Sequence, residues 1–290
     1  MPSIPHPSRM TPFPDPTPRP DDPATALARR EFGVAYPAFP EFLPDTVLEA
    51  GRYVVRFARS AEDLDAIQRL RFGIFNLELG EGLESAFATG RDHDDLDLTF
   101  HHLLIASAGS GEVVGTYRLQ TAAMAARHGF YSAGEFDLSL LPPAYLDDAV
   151  EIGRACVAKE HRNGRVLNLL WRGLAQYLAW NGKHQLFGCC SLTSQDPVEG
   201  QATFRWLDAH GHLHRTLCTP PRPGFGCAEA DPAAVDAFPV HIPALFRSYL
   251  ALGAKVMGPP AIDRAFKTID FLVTLDVRDF DEPTYRFFFR

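Results

Sequence analysis

Residues 151–180 read EIGRACVAKEHRNGRVLNLLWRGLAQYLAW, and this stretch decides the fold. Its start belongs to a mostly apolar segment, Ala149–Ala158, which is typical of a strand. A basic loop containing Gly164 follows, and Asn181-Gly182 is a helix stop signal. Between Arg165 and Trp180, apolar residues recur at the spacing of one helical face: Leu167, Leu170, Trp171, Leu174 and Leu178. The stretch therefore predicts a strand, a basic loop and an amphipathic helix.

The sequence on either side predicts further strands and helices. Ser60 is a typical helix cap, and the helix after it runs to about residues 71–75. The other predicted strands are Arg52–Ala58, His102–Ser107, Glu112–Thr121, His184–Leu192 and Thr268–Val277, and the other predicted helices are Val198–His210 and Ile242–Leu252. A hairpin followed by a strand–helix–strand unit predicts a mixed sheet with helices on its faces, in the α+β or α/β class.

The prolines divide the chain into two parts. Of the 24 prolines, 12 precede residue 45. Proline removes backbone donors and fixes φ, so residues 1–45 are predicted to be a flexible, extended N-terminal segment. Aromatic residues near its end, such as Phe32 and Tyr36, allow it to lie over the body. Residues 46–290 are predicted to form a single domain.

The composition excludes several classes of protein. With 28 Lys+Arg against 36 Asp+Glu, the net charge of −8 argues against a nucleic-acid binder. Five cysteines are no disulfide framework and fit a reducing, cytoplasmic location. No apolar stretch reaches the roughly 20 residues of a membrane span, so any work at a membrane is expected from its inner surface. The 22 Phe suggest a large apolar interior or an apolar ligand.

Charged residues near the ends of the predicted elements are the main candidates for a site. Glu151 and Arg154 are three apart on a strand, which places them on opposite faces. Other charges flank the predicted sheet: Arg71, Asp94, Asp97 and Arg118. Any one alone is more typical of an ion pair than of catalysis, but together around one sheet they indicate a functional site.

The basic loop before the long helix is a second candidate. A helix N-terminus offers free N–H groups and a partial positive charge, which suits a phosphate or pantetheine group. The loop adds Lys159, Arg162, Asn163, Gly164 and Arg165. The alternative is a solvated, basic helix start, and the glycines are too sparse for a Walker loop.

Metal and thiol chemistry have weak signals. His210, His212 and His214 alternate and could be joined by Cys218 or Cys227, but the spacing matches no standard closed zinc site, and no metal is predicted. Three further cysteines lie in apolar strands and are predicted to be core residues rather than nucleophiles: Cys156, Cys189 and Cys190.

Five short motifs, in order, carry a resemblance to a known family. They are Arg71-Phe72-Gly73-Ile74-Phe75, Asp94-Asp95-Leu96-Asp97, Gly115-Thr116-Tyr117-Arg118-Leu119, Glu151-Ile152-Gly153-Arg154, and the tail 250–256 with Asp270-Phe271. Over about residues 50–280 the chain resembles GNAT-fold acyltransferases. It is most similar to their acyl-carrier-protein-dependent branch, which includes acyl-homoserine-lactone synthases, N-acyl amino acid synthases and ornithine N-acyltransferases (hemolysin-like proteins).

The resemblance implies transfer of a long-chain acyl group, with or without a 3-hydroxyl, from acyl carrier protein to the amine of an amino acid. Ornithine is the expected acceptor, which would give a product of the lyso-ornithine-lipid type. No cofactor beyond the acyl donor is implied. A coenzyme-A-dependent acetyltransferase and a non-enzymatic acyl-carrier- or lipid-binding module remain as alternatives.

Under this resemblance we expect Glu151 to accept a proton, with backbone N–H groups near Val157 stabilising the oxyanion. Arg118 or Arg154 would hold the acceptor carboxylate. Asp94 or Asp97 would either hold a cationic side chain or lock Arg71, and Arg71 with Phe75 belongs to the substrate side. A basic patch would dock the acidic carrier protein: Lys159, Arg162, Arg165, Arg172 and Lys183.

Two positions depart from the family patterns. The usual GNAT pyrophosphate loop has glycines where this chain has Arg165 and Leu167. This weakens the case for tight coenzyme A binding and is tolerable for a protein-borne pantetheine. His101 stands where ornithine acyltransferases often have Asp.

Overall fold

A nine-stranded mixed sheet forms the centre of the structure, a computed structural model that describes residues 36–227 and 230–290. Its strand order is β1-β2-β3-β4-β5-β6-β9-β7, and β8 also pairs with β9. The strands are β1 (Leu48–Ala50), β2 (Tyr53–Phe57), β3 (His101–Ser107), β4 (Val113–Thr121), β5 (Ala149–Val157), β6 (Gln185–Leu192), β7 (Lys255–Val256), β8 (Ala261–Asp263) and β9 (Thr268–Asp276). The mixed sheet and all six predicted strands are confirmed.

The only parallel pair among the described strands is β5–β6, and it is short. Its register covers three residue pairs, from Ala149↔Gln185 to Glu151↔Phe187. Beyond Glu151 the two strands separate, while β6 continues to pair with β9 as far as Leu192↔Ile269. The sheet therefore opens at its centre.

Helices cover both faces of the sheet. They are α1 (Ala61–Phe72), α2 (Ala86–Thr89), α3 (Ala122–His128), α4 (Pro143–Asp147), α5 (Arg165–Asn181), α6 (Pro197–Ala209), α7 (Pro232–Ala237), α8 (Ala244–Ala251) and α9 (Glu282–Phe289). Wider, π-type turns extend α1 over Gly73–Glu78. None of these helices within residues 36–227 and 230–290 is both long and apolar enough to cross a membrane.

Helix α5 builds the larger part of the core. Its apolar face, including Trp171 and Leu174, is buried against strands β2–β5 and against α9. Gly173 lets the helix approach the sheet, since a Cβ there would lie 2.6 Å from the Leu103 side chain. The predicted stop is confirmed: Gly182 ends the helix with φ 61°.

The end of the proline-rich segment is packed on the body. Tyr36 and Leu43 are buried, and His101 Nε2 donates to the Ala38 carbonyl over 2.8 Å. Residues 36–45, the end of the segment predicted to be flexible, therefore lie over the body, where Tyr36 and Leu43 belong to buried apolar clusters. Residues 1–35, with Phe32, lie outside the described residues.

Candidate active site

A β-bulge in β5 determines where two of the predicted site residues lie. Arg118 pairs with Gly153 and Thr116 with Cys156, so β5 holds one extra residue there. Arg154, within the bulge, has a left-handed backbone with φ 48°, which is costly for a residue other than glycine. The extra residue shifts the alternation of side chains by one.

Glu151 and Arg154 consequently lie on the same side of the sheet, and the expectation of opposite faces is wrong. Both contact Tyr131. Its backbone N–H donates to Glu151 over 2.9 Å, and its hydroxyl accepts a hydrogen bond from Arg154 over 3.1 Å.

Arg71 is the fully buried centre of an arginine–aspartate network. Its Nε lies 2.6 Å from Asp92, and its Nη1 and Nη2 lie 2.9 and 3.1 Å from the two oxygens of Asp97. Burial alone would raise the pKa of Asp97, but the Arg71 and Arg118 guanidinium groups hold it well below its usual range. The Asp97 carboxylate therefore stays ionised inside the protein.

The network continues to the two arginines of the central strands. Arg118 Nη1 lies 2.6 Å from Asp94 and 2.9 Å from Asp97. Arg154 Nη2 lies 3.4 Å from Asp94, and its Nε lies 3.4 Å from Asp92. The structure thus joins Arg71 in one network with four other predicted charges and engages both predicted aspartates in ion pairs: Asp94, Asp97, Arg118 and Arg154.

Aromatic rings enclose the arginines. The Arg154 guanidinium lies 4.2 Å from the Phe266 ring centroid and 4.9 Å from that of Tyr131. Phe75, predicted on the substrate side, packs edge-on against Phe266, with 5.4 Å between the centroids. These contacts remove the cations from water and strengthen their pairing.

The Glu151 carboxylate accepts four hydrogen bonds. The donors to Oε2 are the Gln120 amide at 2.6 Å and the Tyr131 N–H at 2.9 Å. The donors to Oε1 are the Ser132 N–H at 2.7 Å and the Ser132 hydroxyl at 2.6 Å. Glu151 therefore fixes the segment around Tyr131 against the sheet.

A cavity of about 290 Å³ lies where β5 and β6 separate. Its walls include Ile152 and Gly153 from β5 and Gly188 and Cys189 from β6. The two backbones touch at the vertex of the gap, since a Cβ on Gly188 would lie 2.0 Å from the Ile152 carbonyl oxygen. The gap opens through the sheet and connects its two faces.

The two ends of the cavity differ in polarity. On the face covered by α5 and α8, the walls are aromatic and aliphatic, among them Trp171, Phe246 and Tyr249. On the other face, the walls carry Arg118, Glu151, Arg154, Glu81 and Asp270. The cavity can therefore hold a molecule with an apolar chain and a charged end.

The comparisons with known proteins agree with this geometry. A family model described as the acetyltransferase (GNAT) domain matches residues 70–172, which include the network and β3–β5. An L-ornithine Nα-acyltransferase of Rhizobium meliloti (strain 1021) is 33% identical over 242 residues, 77% of this chain and 79% of that protein. The chain belongs to the L-ornithine Nα-acyltransferase family.

Two other proteins are also similar to this chain. The L-ornithine Nα-acyltransferase of Rhodobacter capsulatus is 33% identical over 252 residues, 82% of this chain and 95% of that protein. A solved structure of FeeM, an N-acyl amino acid synthase from uncultured soil microbes, is 11% identical with a TM-score of 0.46 and covers 79% of this chain and 92% of its own.

In the present member of the L-ornithine Nα-acyltransferase family, hydrogen bonds and an ion pair hold the basic loop before α5 in place. Arg162 pairs with Glu78 over 2.5 and 2.8 Å and donates to the Val157 carbonyl over 2.8 Å. The Asn163 side chain accepts from the Arg165 N–H over 3.2 Å, and Gly164 has φ 77°. Lys159 lies in the same loop and is exposed.

The basic patch expected for the carrier is not continuous. Arg165 Nη2 donates to the Ala50 carbonyl over 3.2 Å, which keeps its side chain at the β1–β2 turn. Arg172 is partly buried along α5, and Lys183 lies beyond the other end of this 17-residue helix, about 25 Å away along the axis. Lys183 therefore does not belong to one patch with Lys159.

Cys156, His210 and His212 take structural positions. Burial raises the pKa of Cys156 to about 12, which removes its nucleophilic form at neutral pH. The rings of His210 and His212 stack on Trp206, with centroids 4.0 and 5.8 Å away.

Sequence reasoning missed several residues of the site. Asp92 lies two residues before the Asp94-Asp95-Leu96-Asp97 motif, and the spacing of the motif did not single it out. Glu81 and Asp270 line the polar end of the cavity, and Glu135 lies next to Asp270. Asp270 was part of the matched tail, but only the register of β9 against β6 shows that it reaches the site.

Proposed function

We propose that this protein transfers a long-chain, 3-hydroxylated acyl group from acyl carrier protein to the α-amine of L-ornithine, giving a lyso-ornithine-lipid-type product. The observation that carries the proposal is the cavity through the sheet, apolar at one end and charged at the other. An acyl chain would lie among Trp171, Phe246 and Tyr249, and the thioester would lie in the gap beside Glu151.

The reaction is attack of the neutral α-amine on the thioester carbon. The C–N bond forms, the C–S bond breaks, and the proton lost by the amine passes through Glu151 to the departing thiolate. The Ser132 hydroxyl now donates to Glu151, and since a hydroxyl also accepts, it can turn to receive a bond from protonated Glu151.

Backbone and arginine groups would stabilise charge in this reaction. The Ala158 N–H donates to Val114 over 2.9 Å, so the Val157 N–H, one residue earlier, points to the other edge of β5, where the gap lies. We assign it to the oxyanion. Arg118 and Arg154 border the cavity, and the Nε of Arg118 has no hydrogen-bond partner within the described part of the chain. We assign them to the acceptor carboxylate.

The donor is proposed to be protein-borne because Arg165 occupies a position where coenzyme-A-binding relatives of the fold have glycine. A carrier protein would approach Lys159 and the exposed Arg165, and the protein would work in the cytoplasm at the inner face of the membrane.

The test is a comparison of acyl donors with the purified protein. We expect N-acylornithine, detected by mass spectrometry, from 3-hydroxyacyl carrier protein, and much slower formation from the matching coenzyme A thioester. Faster transfer from acetyl-coenzyme A would favour a small-acyl acetyltransferase. Binding of the acyl carrier protein with no amide product from any amino acid would indicate a non-enzymatic module.

A further inference from the structure

We propose that a carboxyl cluster of Glu135 and Asp270, with Glu81 nearby, binds the side-chain ammonium group of the acceptor amino acid. The inference rests on the proposed function and names the part of the cavity that would select a diamino acid. Asp270 and Glu81 line the cavity, and Glu135 stands directly against Asp270.

Two buried oxygens of the cluster keep open hydrogen-bonding capacity. Glu135 and Asp270 are only 5% and 4% exposed. Glu135 Oε2 and Asp270 Oδ1 have no hydrogen-bond partner among residues 36–227 and 230–290, and no ion pair found there involves either residue. A buried carboxylate without a cationic partner is costly, so such a group either keeps a proton or binds a cation.

The raised pKa values of the cluster support the proposal that it binds a cation. Burial and the neighbouring Asp270 and Asp263 raise the pKa of Glu135 to about 10. Burial first, and then Asp270, also raise the pKa of Glu81. Arg154 offsets this rise at Glu135 only in part. A bound ammonium group would add a positive charge in direct contact with the carboxyl groups, and it would donate up to three hydrogen bonds to them.

The other acidic groups of the site are already engaged. Asp94 and Asp97 pair with arginines, and Asp92 lies 2.6 Å from Arg71. Asp263 accepts from the backbone N–H groups of Ala265 and Phe266 at 2.8 Å. An additional cation would therefore gain the most interaction free energy at the carboxyl cluster.

The two charged walls fit the charges of a diamino acid. The cavity offers the cations Arg118 and Arg154 from β4 and β5, and the carboxyl groups Asp270 from β9 and Glu81 from the segment after α1. An α-carboxylate at the arginines and a side-chain ammonium at the cluster would leave the α-amine between them, on the side of Glu151.

A metal ion is the competing occupant of the same atoms. Single ligand atoms of Glu135, Asp270 and Cys189 all lie within 4.8 Å of one another. Burial and the neighbouring carboxyl groups, however, raise the pKa of Cys189 well above its usual range. A metal ion would have to displace the thiol proton to use all three ligands, whereas an ammonium group needs only the carboxyl oxygens.

The first test compares acceptors with the unmodified enzyme and needs no variant. L-norvaline has the carbon chain of L-ornithine without the terminal amine. We expect kcat/KM to be at least about 100-fold higher for ornithine, because a buried polar site rejects an analogue that leaves it unpaired. Equal rates with both acceptors would overturn the inference and leave the N-acyltransferase function standing. No acylation of either would instead refute the proposed function.

The second test uses Asp270→Asn, with Glu112→Gln as the control because Glu112 is exposed in the β3–β4 turn. We expect the ornithine-to-norvaline ratio of kcat/KM to fall by about tenfold or more in Asp270→Asn, and to keep the wild-type value in the control. An equal loss with both acceptors would assign Asp270 a purely structural role and overturn the inference. Inactivation of the wild-type enzyme by a chelator, reversed by zinc, would overturn it in favour of a metal.

Discussion

At the scale of single residues, the site separates carboxyl groups that are already paired from carboxyl groups that are not. Asp97 is fixed between Arg71 and Arg118, and Glu151 accepts four hydrogen bonds. Glu135 and Asp270 are buried to a similar extent, and each has one side-chain oxygen without a hydrogen-bond partner in the described part of the chain. The same type of side chain therefore holds the scaffold at Asp97, is proposed to take the proton of the amine at Glu151, and is proposed to receive the substrate ammonium group at Glu135 and Asp270.

Glu151→Gln tests the role of Glu151 in proton transfer. The amide keeps the shape of the side chain but cannot take the proton of the amine, so we expect kcat to fall by about 100-fold or more. Steady-state kinetics with acyl carrier protein and ornithine would measure this, and circular dichroism would check the fold. Wild-type kcat in a folded Glu151→Gln variant would refute the assignment.

The raised pKa of Glu135 predicts how the free energy of unfolding depends on pH. A carboxyl group with a raised pKa in the folded state contributes stability below its unfolded pKa of about 4.3, and this contribution is lost as the pH rises through the folded value near 10. Between about pH 5 and pH 9, the free energy of unfolding should fall because of this group, by at most about 1.4 kcal/mol per pH unit.

Glu135→Gln removes this titration, so urea unfolding at several pH values should give a flatter dependence than in the wild type. The exposed Glu112→Gln variant should keep the wild-type slope. An unchanged slope in Glu135→Gln would show that Glu135 is not protonated in the folded enzyme.

At the scale of elements, the separation of β5 and β6 produces the cavity. Sequence patterns predicted both strands, the loop and α5, because apolar periodicity reports which face is buried. They did not predict the bulge at Arg154, since strict alternation was assumed along β5. Pairings between distant residues, such as Glu135 with Asp270, follow from strand register and loop packing, which no local pattern encodes.

Gly188→Ala tests the vertex of the gap. A Cβ there would lie 2.0 Å from the Ile152 carbonyl oxygen, so β5 and β6 must move apart. We expect a loss of about 1–3 kcal/mol in the free energy of unfolding. We also expect kcat/KM to fall by a larger fraction of its wild-type value than the free energy of unfolding does. Gly109→Ala is the matched control, because a Cβ at Gly109 meets no atom within 4 Å. Equal stability and activity of the two variants would contradict this role of Gly188.

At the scale of the whole molecule, a chain with a net charge of −8 would have to attract an acidic carrier protein. Lys159 lies on the loop before α5 and the exposed Arg165 is the first residue of that helix, whereas Arg162 is already neutralised by Glu78. Local rather than total charge would therefore guide docking.

Charge reversal tests this docking. Lys159→Glu combined with Arg165→Glu should raise the KM for acyl carrier protein by about tenfold or more and leave the KM for ornithine unchanged. Arg205→Glu, an exposed reversal on α6, should change neither. An unchanged carrier KM in the double variant would exclude this loop as the docking surface.

The central claim is that the protein transfers the acyl group of a thioester to the α-amine of ornithine, with both substrates bound in the cavity through the sheet. Tandem mass spectrometry of the product formed from 3-hydroxyacyl carrier protein and L-ornithine tests it most directly. We predict one amide, on the α-nitrogen, with the side-chain amine free. Acylation of the side-chain nitrogen, or no amide at all, would contradict the claim.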